Sequence, residues 1–466
     1  MLEVAVFVIT LVLSVIAFVL YLYPSSKNPS KVPGLDPVTK TDGNLGDLAE
    51  QGSLHEFLLY LHKRYGPIAS FWWGPQYVVS IANDALFKEH HGVFDRPPYL
   101  FEMFKPFFGA KSITYANGDE WKSRRQMYDK CLTHNAVKKY YTDFQEIANN
   151  IVKTWEATSE DEHIPVTQFM MGFALKAVLS ALFGEHMKAD KNVLEFKQHY
   201  DMVWNILESS LKAPISEDGW KTVVEGRNKL FVIAEEMVKQ RKLDPPKHGE
   251  ELLLDLLIDL TDDVDVQNAD ALAYVVAGFH TTGYMLSWCL YYLTTHEEIQ
   301  EKVYEEIKTV LNGEDVDHTN IGELVYLRQV IDETFRCAVI GPWAARFQHF
   351  DSELGGYTIP KDTPVIHALG VACKDENVFP SPDKFDPDRF SSENKKGRPH
   401  LAFSPFGFAG KRVCPGTHFA YAEGTVALVT MLRKFKIKKV EGLVIKPVHG
   451  LVTHPSDEIW ITISKR

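Results

Sequence analysis

Apolar positions along this chain follow three successive regimes, and their order predicts most of the architecture. From Val4 to Tyr23 twenty residues run without a formal charge, long enough to cross a hydrocarbon layer as one helix. Tyr21 and Tyr23 stand where an interfacial aromatic belt would lie. Pro24, Pro29, Pro33 and Pro37 cannot continue that helix, so residues 24–38 read as a stiff linker. Leu54 to Leu61 then shows helical spacing and closes before Gly66-Pro67. Ile68–Trp73 and Tyr77–Ile81 read as the two strands of a hairpin around Gly74-Pro75. From about Asp119 to Val310 the periodicity is mostly helical, whereas Val365 to Ala372 and the last stretch of chain return to strand-like composition. The predicted fold class is mainly α with a minor β part. It comprises a membrane anchor over residues 1–23, the linker, and one large body over residues 39–466.

In the middle of the helical regime, Ala271 to Leu290 is apolar almost throughout, and its length also suits a second membrane span. Gly278, His280, Thr281, Thr282 and Gly283 at its centre favour a helix buried on all sides in a large domain. A threonine hydroxyl there can bond to the carbonyl one turn back and loosen the helix, and Gly278 leaves space for a groove.

Composition removes several function classes. A formal net charge of -12 gives nucleic-acid binding no support. Cys131, Cys289, Cys337, Cys373 and Cys414 are odd in number, widely spaced and free of any CxxC pair. They predict neither a disulfide framework nor a zinc site, and point to a reducing compartment. Glu3 precedes the apolar run and Lys27 and Lys31 follow it, which leaves the body cytosolic by the positive-inside rule. No dinucleotide or phosphate-binding glycine motif is present.

Candidate chemistry concentrates at Ser404-Pro-Phe406-Gly407-Phe408-Ala409-Gly410-Lys411-Arg412-Val413-Cys414-Pro415-Gly416. One reading is a thiolate that binds a metal. Glycines would admit a flat ligand, Arg412 would pair with a carboxylate, and a helix beginning near Thr417 would favour the ionised sulfur. The other reading is a tight turn with a structural cysteine. Glu333 and Arg336 share one helix face, either as a solvated pair or, given Val330, Ile331 and Phe335 beside them, as a buried one. Arg389 lies between Phe385 and Phe390 as a possible third member. Trp121 and Arg125, four apart, would suit a carboxylate ligand or simply form an ordinary basic helix.

Taken in order, these segments resemble the cytochrome P450 family. The anchor with its proline hinge, Trp121/Arg125, Ala277-Gly278-x-x-Thr281-Thr282, Glu333-x-x-Arg336, Phe385-x-Pro387-x-Arg389-Phe390 and the Cys414 loop span essentially the whole chain. Tyr21-Leu-Tyr-Pro24, Asp42-Gly-Asn-Leu45, Gly52-Ser-Leu-His-Glu-Phe57 and the Trp460–Arg466 ending look more narrowly like family 20, a branch regarded as orphans. The resemblance implies the P450 fold, with haem b between a long distal helix and the cysteine loop. It makes Cys414 the iron ligand, with Phe406, Gly410 and Gly416 around it, and gives Arg412, Trp121, Arg125 and Arg346 to the propionates. It further implies an ion network of Glu333, Arg336 and Arg389, and proton delivery by Thr281. Substrate contacts are expected near Tyr99–Lys111, around Ser209, at Tyr274, Phe279 and Thr281, at Ile340–Ala344 and near Leu451.

Three departures stand out. Phe406 to Gly410 carries one residue more than the family's loop, which should shift Phe406; His280 replaces the usual acid before Thr281 and is a catalytic candidate beside it, since a histidine can relay protons near neutral pH; and Pro415 offers the sulfur no N–H, leaving Gly416 as donor. The expected function is a membrane-anchored monooxygenase that oxidises an apolar, lipid- or sterol-like substrate, held by lipid at residues 4–23, with the endoplasmic reticulum as its site. Electrons would come from a separate NADPH-dependent flavoprotein reductase docked near Lys395, Lys396, Arg398 and Lys411. The alternatives are a haem-thiolate isomerase or dehydratase working without dioxygen, and a non-catalytic haem sensor.

Overall fold

The computed structural model describes residues 9–16, 29–209, 215–246 and 250–466. Of the predicted anchor only residues 9–16 fall within these, as helix with exposed apolar side chains. Its remainder and residues 24–28 of the linker lie outside the described residues.

Residues 29–38 are less free than a spacer would be. Ser70 donates its N–H to the Pro33 carbonyl at 2.8 Å and accepts from the Leu35 N–H at 3.0 Å, and Val32 is buried. Ile68–Trp73 is an edge strand whose outer backbone groups need partners, and a proline-bearing segment can serve on an edge. The body therefore begins near Val32, before residue 39.

Ile68–Trp73 and Gln76–Ile81 form the expected hairpin, in register Ile68 to Ile81. Val365–His367 joins it in parallel and Ala344–Arg346 closes the four-stranded sheet. Beyond His367 the strand-like run turns into a short helix, Leu369–Ala372, with the Gly370 N–H on the Pro342 carbonyl at 2.9 Å. A second sheet unites Ile164–Pro165, Trp460–Lys465 and Phe435–Lys439.

Everything else of size is helical and packs around Val264–Thr295, the central helix, which Asp263 caps through the N–H groups of Asp265 and Val266. This helix is continuous and buried along most of its length, so it is the core element expected there and no second span. The helix Val166–Phe183 crosses it closely: a Cβ on Gly278 would lie 2.6 Å from Val178 Cγ2, and one on Gly283 2.5 Å from Met171 Sδ. Gly278 is thus needed for helix contact as much as for any groove. By length and composition Val166–Phe183 could cross a membrane, yet it too is mostly buried in the protein. Thr417–Leu432, the cysteine helix, passes on the other side, with Gly424 against Met285. The largest apolar cluster surrounds these three helices, and two smaller clusters involve the four-stranded sheet.

Candidate active site

Between the central and cysteine helices lies a cavity of about 440 Å³, and Cys414 opens onto it. The loop that brings the sulfur there turns at Gly407 (φ +81°) and Gly410 (φ +45°), left-handed conformations that glycine adopts without strain. The Cys414 N–H donates to the Phe406 carbonyl at 2.9 Å, and Thr417 Oγ1 donates to the Cys414 carbonyl at 3.0 Å. Phe406 stays on the cavity wall, its ring 5.1 Å from Phe335 and 5.4 Å from Tyr421. The extra residue is absorbed outside the cavity by Phe408 and Ala409, both buried. Gly410 supports the loop from behind, where a Cβ would strike Phe94 at 2.7 Å, while Gly416 lies beside the sulfur.

Burial raises the Cys414 thiol above its ordinary range, with the Gly416 N–H and Arg125 pulling it down. A cation at the sulfur would offset that burial and favour the thiolate. Among the described residues no group of three or more His, Cys, Asp or Glu could hold a metal ion. A metal bound by one thiolate must bring its other ligands with it, as a macrocycle does.

The rim of the cavity tests that fit. Arg96, Arg125, Arg346 and Arg412 all line it. Arg125 pairs with Asp129 at 2.8 Å and donates to the Val413 carbonyl at 3.0 Å. Among the described residues the other three have no carboxylate partner, and each leaves its buried Nε unpaired. Their bonds go to uncharged acceptors: Arg412 to the Ala116 carbonyl (2.7 Å) and Asn117 (2.9 Å), Arg346 to the Ala345 carbonyl (2.6 Å), and Arg96 to the Thr114 carbonyl (3.1 Å). Burial, then mutual repulsion, pushes Arg412 down to about 8, Arg346 to about 9 and Arg96 to about 10. Guanidinium groups hold their protons, so this cost appears as a demand for anions. Trp121 packs beneath, 3.9 Å from the Arg412 guanidinium. A flat metal macrocycle with carboxylate arms fits both the sulfur and this rim.

Across the cavity the central helix presents Ala273, Tyr274, Ala277, Gly278, Thr281 and Thr282. Thr281 Oγ1 donates to the Ala277 carbonyl at 2.8 Å without breaking the helix. His280 is not on this wall. Its ring is buried on another face, 4.6 Å from Trp204 and 4.8 Å from Tyr284, with both nitrogens unpaired, and burial holds it neutral at about 3. The structure thus does not bring His280 to Thr281's side of the helix, which corrects the expectation of a shared relay.

Two charged lining residues escaped the sequence reading. Arg96 had a signal, an arginine beside Phe94 and Asp95 much like Arg389 between its aromatics. Glu423 had a stronger one, as the only acid in Thr417–Leu432. Both its carboxylate oxygens are buried and unpaired, and burial raises it well above the usual carboxylate range. Thr282 stands near enough to favour its charge, without the alignment of a hydrogen bond.

Of the regions expected to meet substrate, Tyr274, Thr281 and most of Ile340–Ala344 line the cavity. Phe279, Leu451 and the 99–111 segment do not; Ile113 and Thr114 take that segment's place, and Phe279 packs on Tyr200 at 4.8 Å. Among the described residues no part of the helix Asp190–Ser209 reaches the wall. Away from the cavity, Glu333 and Arg336 form a fully buried bidentate pair at 2.7 and 2.9 Å, with Arg389 at 3.4 Å. Arg336 also donates to the carbonyls of Cys373 and Pro382, and the Asp386 N–H donates to Glu333. The three residues form one buried network that ties the 373–389 segment to the helix Val325–Ala338.

A lone sulfur on a glycine loop, faced by a hydroxyl-bearing buried helix and rimmed by arginines of which three have no carboxylate partner among the described residues, defines a haem-thiolate protein. The family model for Cytochrome P450 matches residues 33–461, and the chain belongs to that family, whose members are in general monooxygenases that bind haem and take electrons from a redox partner. It is similar over the full length of both chains to Cytochrome P450 20A1 of Bos taurus (34% identity) and of Homo sapiens (33%). Over 86% of this chain and 83% of the relative it is 28% identical to Cytochrome P450 4V2 of Mus musculus.

Proposed function

We propose that this chain is a membrane-anchored monooxygenase that holds haem b on Cys414 and inserts one oxygen atom of dioxygen into an apolar, lipid- or sterol-like substrate. Its anchor, residues 4–23, would place the body on the cytosolic face of the endoplasmic reticulum. The observation that carries this reading is the single cavity that Cys414 and Thr281 share, rimmed by arginines without carboxylate partners. When bound, haem supplies dioxygen activation, with the thiolate's electron density favouring O–O cleavage.

The chain's own residues do the rest. Arg96, Arg346 and Arg412 would anchor carboxylate arms, and Trp121 backs Arg412. Thr281 Oγ1 donates its hydrogen bond to the Ala277 carbonyl, so its lone pairs are free to accept from a water and fix its position. Glu423, its carboxyl pushed well above the usual range by burial, would hold a proton to give at the cavity edge, beside Thr282. Ile113, Ala273, Ile340 and Leu369 make the wall apolar, which excludes water and suits an apolar substrate.

Electrons would come from a separate NADPH-dependent flavoprotein reductase. Lys395, Lys396 and Lys411 are exposed near the cysteine loop and suit an acidic partner. Arg398 is turned inward over Phe379 (4.7 Å) and Phe390 (5.0 Å), so it leaves the docking set.

The decisive test is the reduced carbon monoxide spectrum of wild type and Cys414→Ala. A thiolate-type band that survives the substitution would overturn the ligand assignment. Reductase-dependent NADPH consumption stimulated by a lipid or sterol distinguishes a monooxygenase from an isomerase or dehydratase; haem incorporation without turnover of any substrate would indicate a sensor.

A further inference from the structure

The residue added to the cysteine loop leads into a contact that neither catalysis nor haem binding explains. Phe408 leaves the cavity side and enters the apolar cluster beside the four-stranded sheet, with Phe87, Val365 and Leu369. Its ring stacks on Phe87 at 4.4 Å and 24°, and on His367 at 4.4 Å and 29°. Phe87 and His367 are 6.2 Å apart and tilted to each other, so the three rings form one compact triangular cluster. His367 is itself fixed, bonded to His90 at 2.8 Å and paired in the sheet with Ala344, two residues from Arg346. Behind the turn, the Gly410 N–H donates to the Phe408 carbonyl at 2.7 Å, and the Arg412 N–H to the Ala409 carbonyl at 2.9 Å. A short chain of contacts thus connects the sheet that carries Arg346 with the loop that carries Arg412 and Cys414.

We propose that Phe408 is a positioning residue, a ring packed against both Phe87 and His367 that fixes the cysteine loop against the sheet and so sets the place of the Cys414 sulfur relative to Arg346 and Arg412. Interiors are close-packed, so a loop pinned by stacked rings transmits its position to the backbone rather than absorbing displacement. Groups around a metal-bound sulfur tune its bond and potential without touching the metal. The inference rests on Cys414 as the iron ligand and goes beyond it.

The test uses full-length, haem-loaded protein with Phe408→Ala, Phe408→Leu and Phe87→Ala. Three quantities are read: the thiolate-type carbon monoxide band, the ferric/ferrous midpoint potential, and the rate of haem transfer to an acceptor protein. Phe408→Ala is expected to weaken the band, shift the midpoint and speed haem transfer several-fold, with Phe408→Leu in between. Phe87→Ala, which reaches the loop only through the ring, should move all three in the same direction, and its effect should vanish in the Phe408→Ala background. Should Phe408→Ala fail to fold, Phe87→Ala alone decides. If the variants lose only thermal stability, with band, midpoint and transfer rate as in wild type, the ring is packing and the proposal falls. If wild type itself lacks a thiolate-type band, the fault lies with the ligand assignment instead.

Discussion

Glu423 occupies the cavity wall with both carboxyl oxygens unpaired, its carboxyl raised well above the usual range by burial. Glu423→Gln keeps its shape and neutrality but removes a proton that can be given away. The rate of product formation should fall by on the order of 10²-fold, the low end of what a general acid supplies, with haem content and thermal midpoint unchanged. Stopped turnover with intact haem would support the role; unchanged turnover would remove it. His280 makes the contrasting case. Its two buried, unpaired nitrogens cost about 1–3 kcal/mol together with their desolvation, so His280→Phe should raise the unfolding midpoint in urea and leave product per NADPH as in wild type. Adjacent residues in sequence made His280 and Thr281 look like one device. Neighbours on a helix point about 100° apart, and only the packing partners of each face decide which one meets the cavity.

At the scale of elements, the close crossing of the central helix with Val166–Phe183 turns on Gly278. In an open helix Gly→Ala stabilises by about 1 kcal/mol. Here the added methyl would press on Val178 Cγ2 at 2.6 Å, and overpacking of a core costs about 1–3 kcal/mol. Gly278→Ala should therefore lower the urea midpoint of the haem-loaded protein, and a gain in stability would mean that the helices do not meet there. The hairpin at Gly74-Pro75, the helix from Thr417 and the central helix were legible because alternation, capping and apolar runs are local signals. The docking of residues 32–35 on the sheet edge was not, since its cause is the unpaired backbone of Ser70. Nor could the spacing of Phe406, Gly410 and Cys414 reveal that Phe408 turns outward, because its stacking partners come from Phe87 and His367, far away in sequence.

For the molecule as a whole, buried histidines set the response to acid. Burial holds His55 and His280 down at about 3, His62 and His90 at about 4, and His367 well below its ordinary value. Each takes a proton near pH 6.5 when unfolded but stays neutral in the fold. Stability is therefore full above pH 6.5 and is lost as pH falls toward 4, at up to about 1.4 kcal/mol per pH unit for each group. Asp270, raised by burial to about 6 beside Arg124, and Glu423 act in the opposite sense and offset part of the loss. Urea midpoints should hold level from pH 8 to about pH 6.5 and fall from there to pH 5, less steeply in His280→Phe; a profile flat down to pH 5 would contradict the buried, neutral state of these rings. By itself the sequence determined the class of fold, the cysteine loop as the place of candidate chemistry and the order of the parts, because these depend on periodicity, turn chemistry and residue type within short windows. Only the tertiary structure decided that Arg96 and Glu423 join the site, that His280 leaves it and that Phe408 anchors the loop. Those outcomes depend on which distant surfaces meet, and hence on burial and unpaired charge that no local window contains.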